Sequence, residues 1–192
     1  LLYILSPVLT VIPALIITGV VPWGPPVVLF GKEFTLGLAD INVGMLYLLT
    51  VTSISIYGIT LAGWSSNNKY ATMGGLRATA QMISYELALG LSFIGPIMLA
   101  GSMSLVDIVN DQKDMWYVVY QPIGALIYAI AVIAEINRAP FDMPEAEQEL
   151  TAGYHVEYSG MKFALFFMAE YIKMIAISMI GATLYLGGFQ GP

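Results

Sequence analysis

Residues 1–21, LLYILSPVLTVIPALIITGVV, form an apolar segment without a single charged side chain. A helix needs about 20 mostly apolar residues to cross the ~30 Å hydrocarbon core of a membrane, and this segment has that length. Its two internal prolines, Pro7 and Pro13, are better tolerated in a membrane helix than in a soluble one. The segment therefore predicts a first membrane-spanning helix.

The charges that follow are spaced so that they leave four more apolar segments. These lie near residues 41–62, 79–101, 115–134 and 161–186. The chain of 192 residues is 58% hydrophobic and 10% charged, whereas an ordinary soluble domain is about a quarter charged. This composition excludes a soluble enzyme and a disordered chain, and a net charge of −6 excludes a nucleic-acid-binding protein. We predict an all-α fold: a polytopic transmembrane helix bundle of about five spans, forming a single membrane domain over residues 1–192.

Five spans place the loops over residues 63–78 and 137–160 on the same side of the membrane. The basic residues on that side are Lys69, Arg77, Arg138 and Lys162, and those on the other side are Lys32 and Lys113. Loops rich in Lys and Arg stay in the cytoplasm, or in the matrix of an organelle. The sequence therefore predicts that the two loops are cytoplasmic.

Residues 135–157, EINRAPFDMPEAEQELTAGYHVE, hold 7 charges in 23 residues. A solvated loop is one interpretation, and Asp142 with Glu145 fits the capping box of a helix. Capping leaves the other acids unexplained, and Glu145 and Glu149 would repel each other on one helix face. Crowded carboxylates beside a membrane titrate together, which suits proton exchange near neutral pH.

Three further charges lie within the apolar segments. Glu86 has no basic residue within eight positions, so its partner must come from another helix. Glu170 and Lys173 are three residues apart on one helical face and could neutralise each other. Ionisable groups inside a membrane cost at least ~2.5 kcal/mol and often mark an ion or proton path. The alternatives are a structural ion pair for Glu170 and Lys173, and for Glu86 a side chain that reaches toward the lipid head groups.

The chain has no Cys and one His, His155. We therefore predict neither a metal site nor a cysteine-ligated iron–sulfur cluster. The single His is expected to be hydrogen-bonded without a role in the site, and no residue is predicted to be catalytic by itself.

Two long motifs resemble one protein family. They are GWSSNNKYATMGGLRATAQMISYE (63–86) and AEINRAPFDMPEAEQELTAGYHVEYSGMKFALFFMAEY (134–171). Both are similar to one family of membrane subunits of the proton-pumping NADH–quinone oxidoreductase (respiratory complex I), designated H in bacteria and 1 in mitochondria. The resemblance implies that the chain covers the second to sixth of about eight helices, as an interior part of a longer subunit.

The resemblance also implies a function and a set of site residues. The family forms the chamber where a lipid quinone is reduced, and residues 135–160 would be an acidic cytoplasmic loop against the peripheral arm. The residues implied for the chamber and for coupling are Arg138, Asp142, Glu145, Glu147, Glu149 and Glu157. Those implied for the proton path are Glu86, Glu135 and Glu170. Lys173 matches no family role.

The implied substrate is quinone, and NADH, FMN and iron–sulfur clusters would be bound by partner subunits. Those partners are the quinone-site and terminal iron–sulfur cluster subunits and small membrane subunits, in the lipid bilayer of the cell inner membrane or of a mitochondrion or plastid. One alternative is the equivalent membrane anchor of an F420H2 dehydrogenase or an energy-converting hydrogenase. Another is a stand-alone ion-coupled transporter, which inverted repeats would favour, and the sequence shows none.

Overall fold

Helices dominate the chain. The computed structural model describes residues 1–30, 32–34, 36–142 and 153–190. The helices are α1 (Leu2–Val20), α2 (Gly44–Ser65), α3 (Lys69–Ala100), α4 (Leu105–Asp111), α5 (Tyr117–Tyr120), α6 (Pro122–Glu135) and α7 (Met161–Tyr185). Within the described ranges, α1, α2, α3 and α7 are long and apolar enough to span a membrane. These helices confirm the prediction of an all-α transmembrane bundle.

Short elements connect these helices. An antiparallel hairpin of β1 (Val27–Leu29) and β2 (Lys32–Phe34) lies between α1 and α2. Two 3₁₀ turns, Gly153–His155 and Gly188–Gln190, precede and follow α7.

The fourth predicted span, residues 115–134, is helical but interrupted. It consists of α5 and α6, separated by Gln121, whose φ of −132° and ψ of 62° are not helical. Pro122 explains the break, because proline lacks an N–H group and disfavours a helical conformation in the residue before it. With 14 residues, α6 is about 21 Å long, less than the ~30 Å of a hydrocarbon core.

The predicted loop over residues 63–78 is mostly helical, which corrects its boundaries. Only residues 66–68 separate α2 from α3, and the Asn68 side chain caps α3 by accepting a hydrogen bond from the Tyr70 N–H at 3.0 Å. The prediction ended its spans at charged residues, but the 32 residues of α3 cover about 48 Å and exceed the hydrocarbon thickness. Charges in its first turns therefore need not lie in the apolar layer.

Small residues set the packing of the bundle. Helix α1 contacts α2 and α7, while α3 contacts α2 and α6. At the crossing of α1 and α2, a methyl group on Gly58 would lie 2.6 Å from Thr10 Cγ2 and 3.0 Å from the Ser6 carbonyl oxygen. The Ser6 hydroxyl donates to the Gly58 carbonyl at 2.7 Å. Such close approach is how helices associate in lipid, where little hydrophobic force acts between them.

The turn at residues 66–68 and the segment at residues 153–158 lie at the same end of the bundle. Asn68 Nδ2 donates to Glu157 Oε1 at 2.9 Å, and the hydroxyls of Ser65 and Tyr158 are 3.1 Å apart. A methyl group on Gly74 would lie 2.8 Å from Gly153 Cα. These contacts agree with the prediction that both segments face one compartment.

We expect cysteines at Lys69 and Ser159 to react with an impermeant thiol reagent from the same side, the cytoplasmic one. Both side chains are exposed at this end of the bundle, and the chain has no cysteine of its own to give background. The measurement is labelling in sealed vesicles of each orientation. Cysteine at Asp114, in the connection between α4 and α5, is the control and should react only from the opposite side. Labelling of Lys69→Cys and Ser159→Cys from different sides would contradict the topology.

Candidate functional site

A buried ion pair joins the end of α6 to the middle of α7. Lys173 Nζ lies 2.7 Å from Glu135 Oε1, with residue exposures of 8% for Lys173 and 1% for Glu135. A weaker contact of 3.5 Å runs from Lys173 Nζ to the Ser55 hydroxyl on α2. Removing charges from water is costly, so a pair in such a place persists only with good geometry and added hydrogen bonds.

A second ion pair lies beside the first, closer to the surface. Arg138 Nη2 is 3.1 Å from Glu170 Oε1, and the side chains are 44% and 20% exposed. The Arg138 guanidinium also lies over the Tyr171 ring, 5.4 Å from its centroid. Glu170 is thus paired with Arg138, and Lys173 with Glu135. The sequence suggested a local pair between Glu170 and Lys173, and the structure shows a different pairing. The end of α6 and the residues after it bring Arg138 to Glu170 and Glu135 to Lys173.

A pocket lies between the helices at these pairs. Its polar lining comprises Thr10, Ser55, Glu135, Asn137, Glu170 and Lys173. The second carboxylate oxygen of Glu135, Oε2, is buried and has no hydrogen-bond partner among the described residues. A buried acceptor in this position needs a hydrogen-bond donor, such as a water molecule or a protonated ligand.

Glu86 is held by hydroxyl groups of the neighbouring helix. Its Oε1 accepts hydrogen bonds from the hydroxyls of Ser53 at 2.5 Å and Thr52 at 3.1 Å, both on α2. This confirms that its partners come from another helix, although they are neutral. The Glu86 carboxylate is directed sideways to α2 and lies within electrostatic reach of Glu135.

Sequence reasoning missed Gln81, which ties α3 to the segment after α6. Its Nε2 contacts three acceptors: the carbonyl oxygens of Phe141 at 2.7 Å and Ala134 at 3.0 Å, and Asn137 Oδ1 at 3.1 Å. The segment so held carries Arg138. An amide within a mainly apolar helix, five residues before Glu86, was the signal that could have pointed to it.

The structure brings some predicted site residues together and separates others. Glu86, Glu135, Arg138 and Glu170 lie around one region, and the exposed Asp142 interacts electrostatically with Glu170. Glu157 does not belong to this group, because it is exposed and hydrogen-bonded to Asn68.

Three predicted acids, Glu145, Glu147 and Glu149, lie outside the described residues, and so does the proposed capping box of Asp142 with Glu145. Within the described ranges, no three His, Asp or Glu side chains are grouped so that they could hold a metal ion.

Replacing Gln81 with Ala should loosen residues 137–142. The change removes a donor from three acceptors, and a lost hydrogen bond in a partly buried site costs about 1–3 kcal/mol. We expect backbone amides of this segment to exchange with deuterium at least about tenfold faster, as measured by mass spectrometry. The matched control is Ser84→Ala on the same helix, because the exposed Ser84 hydroxyl bonds, among the described residues, to the carbonyl of Ala80 in its own helix. Equal exchange in Gln81→Ala and wild type would contradict this role.

Comparison with known proteins identifies the family. The family model described as NADH dehydrogenase matches residues 1–192. A relative from Geobacter metallireducens, named as H subunit 1 of NADH-quinone oxidoreductase, is 51% identical over 191 residues, covering 100% of this chain and 58% of the relative. The H subunit from Protochlamydia amoebophila is 52% identical over 190 residues, with coverage of 99% and 58%. The H subunit from Frankia alni is 48% identical over 191 residues, with coverage of 100% and 42%.

The chain thus spans between 42% and 58% of the length of these curated relatives. The family match confirms the resemblance that the motifs at residues 63–86 and 134–171 indicated. Together with the apolar helices of the bundle, it shows that this multi-pass membrane chain belongs to the NADH dehydrogenase family, among proteins named as the H subunit of NADH-quinone oxidoreductase.

Proposed function

We propose that this chain is part of the membrane subunit of a proton-translocating NADH–quinone oxidoreductase, where it forms part of the quinone chamber and couples quinone reduction to proton translocation. The observation that carries the proposal is the pair of ion pairs, Glu135–Lys173 and Arg138–Glu170, at one pocket of the bundle. The names of the relatives above favour this proposal over a hydrogenase anchor or a stand-alone transporter.

The chemistry of the pocket supports a quinone as substrate. Apolar side chains of Ile59, Met82 and Phe166 line it together with the charged groups. An apolar wall suits the ring of a lipid quinone, while reduction of the quinone takes up two protons and creates transient negative charge. Charged groups beside the ring can respond to that charge by changing their protonation.

The arrangement of the carboxylates supports a path for that response. Exposure decreases from Arg138 to Glu170 and again to Glu135, and Glu86 follows within electrostatic reach on α3. At an effective dielectric constant of about 20, a change of charge at one carboxylate alters the energy of a charge about 4 Å away by about 4 kcal/mol, and by less at longer distances. A change at the chamber can therefore be passed inward without a redox group in this chain.

The remaining assignments are part of the same proposal. Asp142, Glu145, Glu147, Glu149 and Glu157 belong to the acidic loop that would face the peripheral arm. Partner subunits would bind NADH, FMN and the iron–sulfur clusters that reduce the quinone, with the quinone-site subunit adjoining the loop and small membrane subunits beside the bundle. The complex would lie in the inner membrane.

Arg138→Met should lower quinone reduction at least about tenfold, which corresponds to ~1.4 kcal/mol of barrier, while the complex still assembles. The change removes the cation of Glu170 at the exposed end of the site and keeps an apolar side chain of similar length. The measurement is quinone reduction in native membranes, with NADH oxidation by an artificial acceptor as a check on assembly.

Two variants serve as controls for Arg138. Arg138→Lys keeps the charge and should retain more activity than Arg138→Met. Lys69→Met removes an exposed cation at the same end of the bundle, which lies over the Tyr70 ring, and should leave activity unchanged. Wild-type turnover and quinone affinity in Arg138→Met would count against the chamber.

Glu86→Gln should reduce proton pumping strongly, about tenfold, whereas Glu86→Asp should keep a large part of it. Gln retains the shape and the hydrogen bonds from Ser53 and Thr52 but lacks the charge, while Asp retains the charge with a shorter reach. A neutral amide is no costlier to bury than a carboxylate, so both variants should assemble. Proton translocation and quinone reduction are measured together in reconstituted vesicles.

The control for Glu86 is Ser53→Ala, which removes a hydrogen bond and keeps the carboxylate. It should pump better than Glu86→Gln if ionisation is what matters. Full pumping by Glu86→Gln would contradict the assignment of this residue to the proton path.

A further inference from the structure

We propose that Lys173 is a positioning residue of the proton path: it holds Glu135 as a carboxylate, with one oxygen on its ammonium group and the other turned to the pocket as a proton acceptor. This inference rests on the proposed function. It assigns a role to a cation for which neither the family motifs nor the relatives' names provide one.

The geometry of Glu135 supports a divided carboxylate. Oε1 lies 2.7 Å from Lys173 Nζ, while Oε2 of the same residue, which lines the pocket, is buried without a partner in the described ranges. Oε2 is thus the carboxylate oxygen that no described group engages. In this arrangement Oε1 is stabilised by the Lys173 ammonium group, and Oε2 is left to accept a proton.

The charges around Glu135 show why a dedicated cation is needed there. Glu86 on α3 acts on it as a like charge, and the other acid at the pocket, Glu170, is paired with Arg138. An opposite charge within ~4–6 Å favours the ionised form of a carboxyl group by a factor of about ten or more. Lys173 is the cation in contact with Glu135. Because Lys173 is itself buried, its ammonium group needs a further hydrogen-bond acceptor, and the Ser55 hydroxyl supplies one at 3.5 Å.

A purely structural role would give a different result on substitution. Removing one partner of a buried ion pair is strongly destabilising unless the charge left behind is neutralised, here by protonation of Glu135. Methionine in place of Lys173 would fill the same space and would preserve the packing between α6 and α7. What it cannot preserve is the positive charge that favours the ionised form of Glu135 against the effect of burial, which gives an experiment a specific quantity to measure.

The experiment is carbodiimide labelling of the intact complex in membranes, combined with proton pumping. Dicyclohexylcarbodiimide modifies protonated carboxyl groups in apolar surroundings, and mass spectrometry locates the adduct on the peptide that contains Glu135. We expect Lys173→Met to increase labelling of Glu135 at least about tenfold and to reduce pumping by a similar factor. Lys173→Arg keeps the cation and should restore low labelling and most of the pumping.

The matched control is Lys162→Met, which removes the other lysine of α7, located over the Tyr3 ring away from the pocket. Its labelling and pumping should equal those of wild type. Glu135→Gln separates this inference from the proposed function, and it should lose pumping. If Glu135→Gln pumps normally, Glu135 is not part of a proton path, and the proposed role of Lys173 is overturned as well. If Glu135→Gln loses pumping while Lys173→Met shows wild-type labelling and pumping, the role of Lys173 alone is overturned.

Discussion

The cost of keeping charge away from water governs this structure, and Glu135 and Lys173 are the most buried of the described Asp, Glu, Lys and Arg residues. Breaking such a buried pair by removing one partner typically costs about 3–5 kcal/mol. The pair therefore constrains three helices: α6 ends at Glu135, α7 must present Lys173 to it, and α2 supplies the Ser55 hydroxyl. The pocket and the Arg138–Glu170 ion pair lie beside this contact.

Sequence reasoning could predict the helices because their information is local. The absence of charge from residues 1–21 requires no knowledge of any other segment, and the same holds for the apolar parts of α2, α3 and α7. Their ends were harder to predict. Lys69 and Arg77 lie within α3, because a helix continues beyond the apolar layer until its hydrogen-bonding pattern is broken. At Pro122 the helix is instead shorter than the apolar segment. Proline lacks an N–H group, so it interrupts a segment that is long enough to span the membrane.

The contacts of the site could not be predicted, because they depend on how the helices are arranged. In sequence, Lys173 has Glu170 as its neighbour on the same face, and Glu135 is 38 residues away. Only the packing of α6 against α7 decides between these partners. Gln81 is a similar case, since its three acceptors lie more than 50 residues further along the chain. Residue types and spacing identified most of the charged groups, while the partners of each came from the fold.

Glu86 and Glu135 differ in a way that suits different steps of the proposed proton path. Glu86 is held by hydroxyls, which can donate to a carboxylate or accept from a carboxylic acid, so its contacts survive a change of protonation. Glu135 is held by an ammonium group, which only donates, so protonation at Oε1 would weaken its main contact. In the proposed path a proton would therefore enter at Oε2, and Glu86 would respond to the change in charge without losing its hydroxyl partners. Helix α2 supplies hydroxyl groups to both sites, from Ser53 and Thr52 to Glu86 and from Ser55 to Lys173.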